Sequence, residues 1–142
     1  MKRDQDDKRE HILAAARECF LLYGFKRTAM DDIARAADVS RAALYLSFPN
    51  KEAMFRTLSE QVHDETLALA RIALEGEGPI EERLVAAFEG KTLLLLGLVK
   101  SGAHGNELVD LNHGLGADIA QRTQQAFEEL IVQALQEAAS RV

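Results

Sequence analysis

Residues 30–52 read MDDIARAADVSRAALYLSFPNKE, and this stretch decides the fold. Met30, Ile33, Ala34 and Ala37 recur at three- and four-residue steps, the period of a short helix with one apolar face. The stripe ends near Asp38, and Val39 can plug the angle to a second helix. Ser40 is placed to open that helix as N-cap, its hydroxyl accepting a backbone N–H. Ala43, Leu44 and Phe48 offer the apolar contacts, and Pro49 stops the helix because proline disfavours helical geometry in the residue before it. Two short helices joined by Ala37-Asp38-Val39-Ser40 have the proportions of a helix-turn-helix. In that motif the second helix enters the major groove, which is about 12 Å wide and admits one helix.

Working outward, the same period predicts helix on both sides. Upstream, Ile12, Ala15, Ala16, Cys19, Phe20 and Tyr23 mark a helix from about Lys8 to Tyr23. Gly24 then supplies a left-handed cap, with Phe25 folding back on the last turn. Thr28-Ala29-Met30-Asp31 predicts a cap in which the Thr28 hydroxyl accepts a backbone N–H. Downstream, Asn50 caps a long helix from about Lys51 to Leu74, with Phe55, Leu58, Val62, Leu69 and Ile72 inward. Gly76-Glu77-Gly78-Pro79 breaks the chain. A helix from Ile80 to about Lys100 follows, with Leu84, Phe88, Leu95 and Val99 inward and with Gly90 and Gly97 marking a close contact or a kink. Ser101-Gly102-Ala103-His104-Gly105 ends it, and Asn106 caps a short helix to His113-Gly114. The last helix, from about Ala117 to Ala139, carries Ile119, Thr123, Ala126, Phe127, Leu130, Ile131, Ala134 and Ala138 on one face. No strand pattern interrupts the series, so the expected class is all-α.

Composition sets the outer bounds. The chain has 142 residues, 47% hydrophobic and 28% charged, which fits one domain or two small ones sharing a core and excludes extended disorder. Its longest apolar run, Leu93–Val99, is far too short to span a bilayer. The opening MKRDQDDKRE lacks the apolar region of a signal peptide, and the single Cys19 excludes an internal disulfide or a multi-cysteine zinc site. A cytoplasmic protein without membrane association is expected. Net charge is −6, but unevenly spread: residues 1–56 hold 11 Lys/Arg against 9 Asp/Glu, and residues 57–142 hold 6 against 14. Such asymmetry hints at a nucleic-acid module joined to an acidic partner, although ordinary solvated helix faces account for it more readily. Aromatic residues divide the same way, six of the eight lying before residue 56.

The wording of the motif is more specific than its shape. Ile33 to Ser40, then Leu44-Tyr45-Leu46-Ser47-Phe48-Pro49-Asn50-Lys51-Glu52, resembles the tetracycline-repressor (TetR) family. Ile12-Leu13-Ala14-Ala15-Ala16, Phe20, Tyr23-Gly24-Phe25 and Thr28 resemble that family's first helix and turn. The resemblance covers about residues 8–56. It implies a three-helix DNA-binding head at 1–49 and a helical body at 50–142 for effector binding and dimerisation. It also implies a dimeric transcriptional repressor, bound to a palindromic duplex operator and released by a small molecule. Carried over by position, Thr28 and Lys51 match phosphate-contacting residues, Ser40 the cap of the recognition helix, Arg41 a base-reading position and Tyr45 a contacting aromatic. Arg41 is the one recognition-helix side chain able to grip guanine with two hydrogen bonds, while Ala42 and Ala43 can touch thymine methyl groups.

Several positions depart from the family pattern. Ala29 stands where Thr or Ser is frequent, Asp38 and Ala42 where glycine is frequent, and Ser47 where His or Tyr is frequent. Asp tolerates a left-handed backbone, so the turn is expected to survive at Asp38. The pattern predicts weaker or more indirect operator contacts. Family members usually carry two further helices after the one at 117–139, so the expectation is either a body incomplete at its C-terminus or dimerisation through other surfaces.

Other signals admit two readings. His63, Phe88 and His104 are candidates to line an effector pocket, the histidines as polar anchors. No HxxxH or HxH spacing supports a metal site, and no cofactor is expected. Cys19 could sense redox state, but its place on the apolar face favours a buried structural thiol. Leu93–Val99 reads as bundle core, or in part as a dimer contact. Lys2, Arg3, Lys8 and Arg9 form either an arm toward DNA or a solvated terminus. An enzyme is disfavoured, since no nucleophile–base pair or carboxylate pair stands out. The alternative function is a helical ligand-binding or interaction module that keeps the head as scaffold without binding an operator.

Overall fold

The computed structural model describes residues 2–100 and 102–142. Seven helices follow one another: α1 (Lys2–Tyr23), α2 (Met30–Ala37), α3 (Arg41–Ser47), α4 (Lys51–Glu75), α5 (Ile80–Lys100), α6 (Gly105–His113) and α7 (Ala117–Ser140). The expected all-α class holds among the described residues. Of the break expected at 101–105, Ser101 lies outside them.

Two apolar clusters organise the chain. The first joins Ile12, Ala16, Phe20, Phe25, Ile33, Leu44 and Phe48 to Met54 and Phe55 of α4 and to Leu108 of α6. Its rings pack closely, with centroids 5.1 Å apart for Phe20–Phe25 and 5.8 Å for Phe25–Phe55. The second gathers Ala70, Leu74, Ala87, Phe127 and Ala134, from α4, α5 and α7. α4 and α6 complete the core of the head, so the first cluster runs across the expected boundary at residue 49/50.

α1 begins at Lys2, nearly three turns before the apolar stripe starts at Ile12. Opposite charges at four-residue spacing (Lys2 and Asp6, Arg3 and Asp7, Asp4 and Lys8) favour helix there without burial. Thr28 is not a cap: α2 is preceded by Ala29, whose N–H donates to Asp32 Oδ2 at 2.8 Å. The Thr28 hydroxyl is buried and donates instead to the carbonyls of Gly24 (2.7 Å) and Cys19 (3.2 Å). Asn50 does cap α4, its Oδ1 accepting from the Ala53 N–H at 2.8 Å.

The body departs further from the expected faces. On α4 the buried line past Phe55 runs through Ser59, Thr66, Ala70 and Leu74, leaving Val62, Leu69 and Ile72 exposed. Small side chains let α5 and α7 lie close along that line. On α5 only Ala87 is buried; Phe88 and Leu95 are exposed, as are Leu93 and Leu96. Four leucines in a row surround a helix, and neighbours cover one side of it. Gly90 and Gly97 mark neither a close contact nor a break, since a Cβ at either would meet nothing within 4 Å and α5 runs through both. Close approach occurs at Gly105, where a Cβ would fall 2.5 Å from the Leu98 carbonyl oxygen and 2.6 Å from that of Val99. α6 accordingly starts at Gly105, one residue before the expected cap at Asn106.

Candidate nucleic-acid interface

The geometry of α2 and α3 follows from three local devices. Asp38 ends α2 in the left-handed region (φ 54°, ψ 47°), where a short polar side chain is tolerated better than most. Val39 is half-buried against the first cluster and sets the angle between the helices. Ser40 Oγ accepts the Ala43 N–H at 3.0 Å, as its position predicts.

Leu44 and Phe48 then fix α3 by its inner face, both fully buried. With those anchored, Arg41, Ala42, Tyr45 and Leu46 point outward and are exposed, while Ala43 is half-buried. Leu46, at 89% exposure, is an apolar residue the sequence reading missed. Counting around the helix from Leu44 and Phe48 would have found it. Two further contacts brace the unit from behind. Arg9 stacks 4.1 Å from the Phe48 ring centroid and donates to the Ser47 carbonyl at 2.9 Å. His11 Nε2 lies 2.8 Å from the Ala37 carbonyl oxygen at the end of α2. All four basic residues at this end are exposed, but Arg9 is turned onto the head.

The matched polar positions are occupied in distinct ways. Lys51 Nζ donates to the carbonyls of Phe25 (2.6 Å) and Lys26 (3.2 Å) and lies 4.5 Å from the Phe25 ring centroid. With Thr28 it ties down the turn that carries the exposed Lys26 and Arg27. Arg41 Nε is 3.5 Å from Asp31 Oδ1, and its guanidinium carbon is 5.8 Å from the Tyr45 ring centroid.

The candidate pocket residues lie in three separate surroundings. His63 Nε2 is 3.0 Å from Asn112 Oδ1, beside a shallow groove of about 310 Å³ between α4 and α7. Phe88 packs edge-on against Phe127 with centroids 5.1 Å apart. His104 pairs with Glu107 (3.7 Å) against Gly24, and Glu107 Oε1 accepts the Lys26 N–H at 3.0 Å. His104 and Glu107 therefore belong to the seam between head and body. No group of three or more His, Cys, Asp or Glu able to hold a metal occurs among the described residues.

Comparison with known proteins bears on this architecture. Residues 12–58 match the family described as bacterial regulatory proteins, tetR family. The head of this chain belongs to the tetR family. Individual relatives agree: the transcriptional regulator TtgR of Pseudomonas putida is 35% identical over 80 residues, 56% of this chain and 38% of that protein. RutR of Escherichia coli is 36% identical over 73 residues, 51% of this chain and 34% of that protein. These matches span about two fifths or less of the curated relatives' length. Beyond the tetR head the likeness is one of fold. A TetR family transcription regulator from Marinobacter aquaeolei has a TM-score of 0.70 at 24% identity, covering 99% of this chain and 73% of that one. A SmeT–triclosan complex has a TM-score of 0.62 at 19% identity, covering 94% and 68%. The described helices therefore have the all-α tetR fold.

Proposed function

We propose that the chain is a ligand-responsive transcriptional repressor, reading a palindromic duplex operator as a homodimer in the cytoplasm and released by a small molecule. The observation that carries this reading is the outward face of α3, presented by buried Leu44 and Phe48 within a tetR-type head. In this reading Ser40 starts the recognition helix, Arg41 reads guanine, and Ala42, Ala43 and Leu46 meet thymine methyl groups. Tyr45 packs on the backbone or a base edge. Thr28 and Lys51 act by holding the turn that presents Lys26 and Arg27 to phosphates, since their own polar atoms are bound to carbonyls.

In this reading the effector sits in the groove between α4 and α7, a site supported by the polar and apolar lining that His63, Thr123 and Ile119 give it. Its volume of about 310 Å³ falls at the lower end for small-molecule sites. The proposed partner for the exposed leucines of α5 is a second copy of the chain. Selection of duplexes from a random pool tests the central claim. Native protein is expected to enrich one sequence and to weaken steeply between about 50 and 200 mM salt. Arg41→Ala is expected to lose about tenfold in discrimination. Equal affinity for all duplexes would instead support the scaffold reading, which the internal pairing of Lys51 and Thr28 favours.

A further inference from the structure

We infer that Asp31 is a positioning residue that presets the Arg41 guanidinium to read a guanine, an inference that rests on the DNA-binding reading above. Asp31 lies in the first turn of α2 and Arg41 in the first turn of α3. Their side chains are 59% and 69% exposed, and pairs this open to water contribute little to stability. The pair is therefore not what holds α2 to α3; Val39, Leu44 and Ile33 do that in the core.

The adjacent acid behaves differently. Asp32 is built into the start of α2, with one oxygen on the Ala29 N–H and the other 3.4 Å from Arg35. Asp31 instead reaches across the turn to the neighbouring helix. Its nearest approach is to Nε, at 3.5 Å, while the Tyr45 ring flanks the guanidinium with its centroid 5.8 Å from Cζ. Neither Nη1 nor Nη2 makes a hydrogen bond among the described residues. The outer fork of the guanidinium is left open, and that fork is the edge that grips guanine O6 and N7 together.

Asp31 has a second effect of the same sign. A carboxylate beside the recognition helix repels phosphates everywhere along a duplex, so it weakens contacts that carry no sequence information. Holding Arg41 and opposing the backbone both raise the ratio of specific to non-specific binding.

The test is a double-mutant cycle on the full chain, using the duplex selected by the native protein and the same duplex with each guanine pair exchanged. Asp31→Asn is expected to bind scrambled duplex as well as the native protein or better, and to lose about tenfold in preference at one guanine. Arg41→Ala is expected to lose preference at that same guanine, and adding Asp31→Asn to it should leave that preference unchanged while overall affinity for duplex stays level or rises. If Asp31→Asn keeps the native preference, or costs as much with Arg41 absent as with it present, the inference is overturned. If the native protein selects no sequence at all, the DNA-binding reading fails and takes this inference with it.

Discussion

Gly24 has φ +88°, and a Cβ there would sit 2.7 Å from Glu107 Oε2 and 3.1 Å from His104 Nδ1. The position therefore excludes a side chain twice, by backbone conformation and by the approach of α6. Gly24→Ala is expected to cost at least about 1 kcal/mol, read as a lower urea midpoint at unchanged slope. Only half of this was legible in the sequence. The left-handed backbone follows from a glycine after an apolar stripe, but nothing local announces a glutamate 83 positions away. Cys19 is simpler. Burial pushes its thiol up, reinforced by Asp32 and Glu18, so the side chain stays protonated and enclosed at neutral pH. A thiol reagent is expected to label it only as fast as the protein unfolds, and rapid labelling of the native state would restore the sensor reading.

At the scale of elements, α2 and α3 were the most legible. Their limits are written in short-range chemistry: a left-handed Asp38, a Ser40 cap and a Pro49 stop. The faces of α4 and α5 were not. Periodicity tracks the size of side chains, whereas burial depends on which neighbour lies alongside. Ser59, Thr66 and Ala70 face the interior because a helix can come close over small residues, and larger Val62, Leu69 and Ile72 are left outside. The same logic explains the glycines. Gly90 and Gly97 lie within α5 without adjoining anything, so Gly90→Ala and Gly97→Ala are each expected to stabilise by up to about 1 kcal/mol. Thermal midpoints would check this, and a decrease at either position would reveal a contact that α5 makes with a partner.

Across the whole molecule, a few polar links join head, rod and body. Arg56 of α4 grips Asp118 of α7 with two hydrogen bonds, at 2.7 and 2.9 Å, and also donates to the Leu115 carbonyl at 2.9 Å. The guanidinium holds the Asp118 carboxyl well below the usual carboxylate range. A carboxyl more acidic in the folded state adds stability above its unfolded value and loses it as pH falls toward the folded one. Asp118→Asn is therefore expected to melt lower than the native protein at pH 7, with the two curves converging below about pH 4. Parallel curves across that range would mean the pair contributes nothing. Such links were invisible beforehand because they connect residues dozens of positions apart, 62 in this case.

One helix belongs to both halves. α4 gives Met54 and Phe55 to one cluster and Ala70 and Leu74 to the other. Its 25 residues form a rod about 37 Å long at the usual rise per residue. A lever of that length converts a tilt of about 5° at one end into a displacement of about 3 Å at the other, close to the spacing of stacked base pairs. Lys51 fastens its first turn to the carbonyls of Phe25 and Lys26, so the loop before α2 must travel with it.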